Sequence, residues 1–448
     1  MLTTFSSGTV PGALPFVGHT PQLLRRPIPF LASLPDIGGL VEIKLERRRV
    51  FGPCRPGLPH LILADDRTFN KGGGPAFEFA EILEERLAGC THEHHRRQRR
   101  LVQQVSRPAQ VERYGPVVEE ETVALMETWQ GGQEFDLFPV LLDFTARVVT
   151  RMLFSSRADP TASDQVQRLF ASMMSQGDTG WRTGPSRVLQ RVTRLGARER
   201  YRIAADFQDT LDRAVSGYPR TGRGDVDMMS ALALDRNGDS GLSRGELRSQ
   251  AVTMLAAGAH SPATTLTWAF YLLSQRPESE GRLRDEADSV LGGRPARWGD
   301  LPSLRFTERG LMETLRLYPP VWIFFRKTSV EVPLINGCIP RRLRDDQPLD
   351  DAPARRRVRR PWGLRPRPMA PGRCTAAARR AFTAFGDGPR RCIGEAFGLA
   401  QLTLVLASIT GQWRLASVPD ARILPHARAV NVPPRYLPVR LSRRHRKS

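Results

Sequence analysis

Residues 385–394 read Phe385-Gly386-Asp387-Gly388-Pro389-Arg390-Arg391-Cys392-Ile393-Gly394 and stand just ahead of an apolar run, 396–409. A cysteine thiolate that holds a metal needs a tight turn whose backbone N–H groups aim at the sulfur, because those dipoles stabilise the anion and set its electron donation. Gly388 and Gly394 permit such a turn. Phe385 can pack over one side of a flat ligand, and Arg390 can pair with an anionic group on it. A helix opening after Cys392 would point its positive end at the sulfur. These residue types fit a metal carried by a planar, anionic group and held by one thiolate. The competing reading is a buried structural cysteine beside a glycine-rich turn.

Other constellations bear on the same chemistry. Cys90, His92, His94 and His95 invite a zinc reading, but only His92 and His95 share a helix face and no second ligand pair is near. His95 and Arg99, at i and i+4, put two donors on one face, where they can clasp a carboxylate; a solvated basic face is the alternative. Glu313 and Arg316, at i and i+3, can form a bidentate pair. Residues 255–262, Leu255-Ala256-Ala257-Gly258-Ala259-His260-Ser261-Pro262, bring small side chains to the middle of a long helical pattern that could lie flat on a planar group. His260 and Ser261 can both relay protons there. Pro262 removes one helical hydrogen bond, at about 3 kcal/mol in an ordinary helix interior.

Written as Phe-x-x-Gly-x-Arg-x-Cys-x-Gly, the loop resembles the haem-binding signature of the cytochrome P450 family at each fixed position. The resemblance implies a mainly α fold with small β-sheets, a single domain over 1–448, and haem b with Cys392 as its axial ligand. It implies that His95, Arg99, Arg326 and Arg390 hold the propionates, with Arg326 on the strand Phe325-Arg326-Lys327-Thr328, and that Phe385 and Gly258 lie against the ring. His260 and Ser261 stand where the family has its acid–alcohol pair, and Glu313-x-x-Arg316 resembles its structural salt bridge. The implied activity is insertion of one oxygen atom from O2 into a C–H bond, with electrons from a ferredoxin-type donor and its reductase. The segment Leu14-Pro15-Phe16-Val17-Gly18-His19 is similar to bacterial members, including ones that oxidise terpenes, so the expected substrate is a small lipophilic molecule of that class. The alternative is a haem-binding relative with impaired or no monooxygenase activity.

The elements that must position these residues follow from periodicity. Residues 40–45 alternate as a half-buried strand, whereas Gly52 and Pro53 weaken the expectation of a partner at 50–54. Apolar spacing predicts helices over 116–130 and 143–154, and residues 155–230 read as mixed helix and loop. Residues 235–246 carry oxygens at calcium-loop positions, but Ser240 stands where the turn needs glycine; Ser243 and Glu246 make a capping box for a helix running to about 274. A further helix is expected over 277–291.

The net charge is +21, of which residues 341–380 carry 13 arginines less 4 aspartates, or +9. Only Trp362 interleaves that window, so a base-stacking surface is not expected and nucleic acid is not an expected partner. The window is nearly devoid of β-branched and aromatic residues where the family has strands and an arginine that completes the Glu313–Arg316 cluster. An altered reading frame over 341–381, restored downstream, would produce this, and a basic insert is the competitor. Five cysteines without short-spaced pairs argue against a disulfide framework. No apolar run is long enough to span a bilayer and residues 1–20 lack a leader pattern, so a cytoplasmic protein is expected.

Overall fold

The computed structural model describes residues 7–46, 48–55, 57–71, 90–154, 160–176, 197–216, 228–233, 242–328, 332–334, 337–339, 347–350, 382–419, 423–427 and 431–444. Helices dominate, with four small sheets at the periphery. In the first sheet β1 (Ser7–Thr9) pairs parallel with β2 (Leu40–Leu45), and β2 pairs antiparallel with β3 (Arg48–Pro53). The partner strand therefore forms despite its glycine and proline. Pro53 sits at the end of the ladder opposite Leu40, and a Cβ at Gly52 would approach Leu34 Cδ1 to 3.1 Å, so the glycine makes room for a core leucine.

After β3 the chain forms α1 (Leu58–Ala64), β4 (Phe69–Asn70), α2 (His92–Gln103) and α3 (Gly115–Glu127). The strand β5 (Glu134–Asp136) leads into α4 (Leu137–Leu153), a helix buried over most of its surface. Residues 155–230 contribute α5 (Pro160–Gln176) and α6 (Ala197–Ser216). The long helix α7 (Arg244–Ser274) follows; its 31 residues span about 46 Å at 1.5 Å per residue. It remains continuous through Pro262, whose missing N–H leaves the Gly258 carbonyl without its usual helical donor. Next come α8 (Pro277–Leu291), α9 (Arg305–Leu317) and β6 (Ile323–Thr328), then the hairpin β7 (Val332–Leu334) with β8 (Gly337–Ile339). The chain closes with α10 (Glu395–Gln412), β10 (Trp413–Ser417) and β11 (Pro438–Arg443), the last pairing antiparallel with both β10 and β5.

Most of the window 341–381, including the third partner expected for Glu313 and Arg316, lies outside the described residues. Its one described stretch, β9 (Gln347–Asp350), pairs antiparallel with β6, so a strand does form where composition argued against one.

The start of α7 settles how Glu246 is used. Ser243 Oγ accepts from the Glu246 N–H at 3.2 Å, and Glu246 Oε2 accepts from the Ser243 N–H at 2.8 Å. Glu246 Oε1 takes Arg97 at 2.5 Å, so both oxygens are engaged and the carboxylate that a calcium loop would need is occupied. Ser243→Ala is expected to lower stability by about 1 kcal/mol, and added calcium to leave the melting temperature of the native chain unchanged. A calcium-dependent rise in melting temperature that disappears in Glu246→Gln would overturn the second expectation.

Candidate functional site

Cys392 lies between a one-turn 3-10 segment, Gly388–Arg390, and the first turn of α10. The turn closes through Cys392 N–H to the Phe385 carbonyl at 2.8 Å and Gly386 N–H to the Thr383 carbonyl at 2.7 Å, with Gly386 and Gly388 at φ +69° and +63°. Cys392 presents accessible surface, yet burial pushes its thiol pKa up while the Gly394 amide pulls it down. The thiol thus keeps some exposed surface while most of its surroundings are protein. The sulfur therefore has a backbone N–H aimed at it and the N-terminus of α10 behind it, the surroundings that suit a thiolate ligand.

Helix α1 clamps this loop from outside. Asp387 Oδ1 accepts from the Gly388 N–H at 2.7 Å, and its other oxygen contacts Nδ1 of His60 on α1. A Cβ at Gly388 would stand 2.4 Å from the Leu63 carbonyl oxygen and 2.7 Å from Ala64 Cα, both immovable backbone atoms. Gly388→Ala adds a left-handed φ to that clash, so a stability loss of about 1–3 kcal/mol or more is expected, with reduced haem content on purification. Wild-type melting temperature and haem content in this variant would show that the clamp is not needed.

Beside the loop, basic side chains converge from separate segments. His95 on α2 is 2% exposed and its Nδ1 has no partner. Desolvation, then the charges of Arg390 and Arg99, hold its pKa down to about 4. Arg326 on β6 is also 2% exposed; its Nε is unpartnered, one terminal nitrogen donates to the Phe325 carbonyl at 2.9 Å, and burial, with Arg390 nearby, lowers its pKa to about 10. Arg390 donates through Nε to Asp66 at 3.2 Å and through Nη1 to the Cys90 carbonyl at 2.8 Å. Arg99 donates to the Arg391 carbonyl at 2.8 Å, tying α2 to the cysteine loop.

Sequence reasoning missed a fifth basic group, Lys71, just after β4. Desolvation, then Arg326 and Arg390, drive its ammonium well below the ordinary lysine pKa. No spacing relative to Cys392 marks it; only the folded chain brings it here. Buried like charges repel and lose hydration, so such a cluster fits an anion. The orphaned His95 Nδ1 and Arg326 Nε suit the carboxylates of a haem edge, and a thiolate-ready cysteine in the adjoining loop suits its iron.

On α7 the residues divide by helix phase. A Cβ on Gly258 would come 2.8 Å from Val149 Cγ2, so that side of the glycine faces α4. Thr145 Oγ1 on α4 lies 2.7 Å from the Ala259 carbonyl. Ala257 is the exposed residue of this stretch, and Ser261, one turn on, is half-buried, as are Ala256 and Gly258. His260 is buried, its ring centroid 5.5 Å from that of Phe138 on α4 and its Nδ1 3.5 Å from Thr264 Oγ1. Phe385 stands 6.3 Å from Phe382, ring to ring. Glu313, fully buried on α9, takes both Nε and Nη2 of Arg316 at 2.8 Å. Among the described residues, no group of three or more histidine, cysteine and acidic side chains is placed to hold a metal ion.

Comparison with known proteins agrees with this geometry. A family profile described as Cytochrome P450 matches residues 9–341 and 371–437. Pentalenene oxygenase of Streptomyces avermitilis is 38% identical over 98% of both chains. Cyclooctatin synthase of Streptomyces melanosporofaciens is 36% identical over 93% of this chain and 91% of its own, and cyclooctat-9-en-7-ol 5-monooxygenase of the same organism is 33% identical over 94% and 92%. The fold superposes on the haem domain of cytochrome P450DA with a TM-score of 0.83 at 18% identity, covering 99% of this chain and 98% of that one.

Proposed function

The chain belongs to the cytochrome P450 family, and from that premise we propose that it oxidises a cyclic terpene in the cytoplasm, drawing electrons from a ferredoxin-type protein and its reductase. The protein is a haem-thiolate monooxygenase that acts on a lipophilic substrate. When bound, haem b supplies the chemistry, inserting one atom of O2 into a C–H bond with two electrons from the redox partner. The observation that carries the terpene reading is 38% identity over 98% of both chains to pentalenene oxygenase. Among the described residues, no helix is long and apolar enough to cross a membrane.

In this reading the chain's own groups divide the work. Cys392 ligates the iron, with the Gly394 N–H and the α10 N-terminus moderating the charge on sulfur. His95, Lys71, Arg99, Arg326 and Arg390 would hold the propionates through charge-assisted hydrogen bonds. Ala257 and Ser261 give α7 a small-residue turn against which a planar group could lie. Ser261 Oγ is the group that would hold and pass a proton there, because its hydroxyl both donates and accepts and the residue is half-buried beside the buried His260. His260 lies behind it against Phe138, where it serves as a second proton-holding group.

The test is turnover with a ferredoxin, its reductase and a panel of cyclic terpenes and straight-chain fatty acids. A terpene product heavier by one oxygen is expected; oxidation of fatty acids alone would overturn the substrate class. In the same assay Ser261→Ala is expected to lower product formed per electron consumed several-fold while haem content stays at the wild-type value. Unchanged coupling in Ser261→Ala would remove that residue from the proton path.

A further inference from the structure

Asp66 is the one carboxylate, among the described residues, whose charge acts on His95, Arg326 and Arg390 of the buried basic cluster. It stands in the turn between α1 and β4 and is 3% exposed. Its neighbour Asp65 fixes that turn, Oδ1 accepting from the N–H groups of Arg67 and Thr68 at 3.2 and 3.1 Å. Both Asp66 oxygens are held. Oδ2 accepts from Arg390 Nε at 3.2 Å, and Oδ1 lies 2.9 Å from His92 Nδ1.

The far side of His92 decides where its proton sits. Arg67 Nε lies 3.2 Å from His92 Nε2, and a guanidinium can only donate, so Nε2 is the acceptor and the ring proton is on Nδ1, directed at Asp66. The chain of donors thus runs from Arg67 through His92 into Asp66, which Arg390 meets from the opposite side. With Nη1 on the Cys90 carbonyl and Nη2 at 3.5 Å from Asn70 Oδ1, the guanidinium is held by protein groups at each of its three nitrogens.

We propose that Asp66 is a positioning residue for the prosthetic group: it fixes the Arg390 guanidinium from behind, and its charge offsets the basic cluster so that the iron keeps a low reduction potential. The inference rests on the assignment of the cluster to the haem carboxylates. Without the aspartate, Arg390 keeps only its terminal-nitrogen contacts to Cys90 and Asn70 and is held less firmly, and the unbalanced positive charge near the iron favours the more electron-rich ferrous state.

The test uses the holoprotein and two readouts, the iron midpoint potential and the rate of haem transfer to an excess of a haem-scavenging globin. Asp66→Asn is expected to raise the ferrous-to-ferric ratio at the wild-type midpoint several-fold, a tenfold ratio being about 59 mV for one electron, and to speed haem transfer. Asp66→Glu is expected to return the potential toward wild type, because it restores the charge; a potential that stays at the Asp66→Asn value would overturn the electrostatic part. Should Asp66→Asn not accumulate as holoprotein, His92→Ala keeps the carboxylate and removes its second tether. Faster haem transfer at a near-wild-type potential is expected there, and an unchanged rate would count against the proposal. Arg390→Ala separates this inference from its premise. If Arg390→Ala speeds haem transfer while Asp66→Asn changes neither readout, the role of Asp66 is wrong and the site stands. If Arg390→Ala changes nothing, the assignment of the cluster fails and takes the inference with it.

Discussion

Cys392→Ala is expected to abolish the thiolate-type carbon monoxide spectrum of the reduced protein and, with it, all monooxygenation. The loop is built to present a sulfur anion: the Phe385 carbonyl and the Cys392 N–H close the turn at 2.8 Å, the Gly394 amide faces the sulfur, and α10 begins at Glu395. Alanine keeps this backbone and deletes only the ligand. Burial raises the thiol pKa, so the proton leaves when a metal takes its place, and the loop is ready for a charge that it does not carry unaided. No other residue of the loop 385–394 carries a sulfur. Haem should still associate in part, because the propionate contacts survive at roughly 1.5–3 kcal/mol for each charge-assisted bond. The expected preparation is therefore substoichiometric in haem and spectrally changed. A thiolate-type spectrum that persists in Cys392→Ala would disprove the ligand assignment.

What could be read in the chain beforehand was whatever lies within one turn or one helix. The cysteine loop, the spacing of His95 and Arg99, the Ser243–Glu246 cap and the Glu313–Arg316 pair are local, and each is stated by residues at most nine positions apart. Asp66 and Lys71 were invisible because they meet Arg390 only after α1, β4 and the cysteine loop have packed together. Helix phase was a second blind spot. A run of small residues on α7 announced a close approach without saying to what, and Gly258 turns toward Val149 whereas its neighbour Ala257 stays exposed. β3 formed against its local preference because Leu34 fills the room that Gly52 leaves and because the Cys54 N–H, just beyond Pro53, bonds to the Gly39 carbonyl at 2.9 Å. Charge composition marked the window 341–381, and the break in the family profile between 341 and 371 falls within it.

Glu313→Gln is expected to destabilise the protein by about 3–5 kcal/mol, the range for removing one partner of a buried ion pair. Glu313 is 0% exposed and Arg316 keeps 11% of its side-chain surface, so water can do little for a guanidinium that loses its carboxylate. Helix α9 cannot swing away to relieve it. At its start Glu286 accepts from the Phe306 and Thr307 N–H groups at 2.6 and 2.8 Å. Just past its end Tyr318 stacks on Trp268 of α7 at 3.9 Å, and Trp268 donates to the Val432 carbonyl at 2.7 Å. A loss of this size is a large share of the 5–15 kcal/mol margin of an ordinary domain, so a lower melting temperature and poor haem incorporation should appear together. The double variant Glu313→Gln/Arg316→Met removes both charges and is expected to be more stable than Glu313→Gln alone, because it leaves no uncompensated cation. Equal melting temperatures for wild type and Glu313→Gln would mean that the pair is not what holds α9 in place. A double variant less stable than the single would mean that Arg316 has another partner of comparable strength.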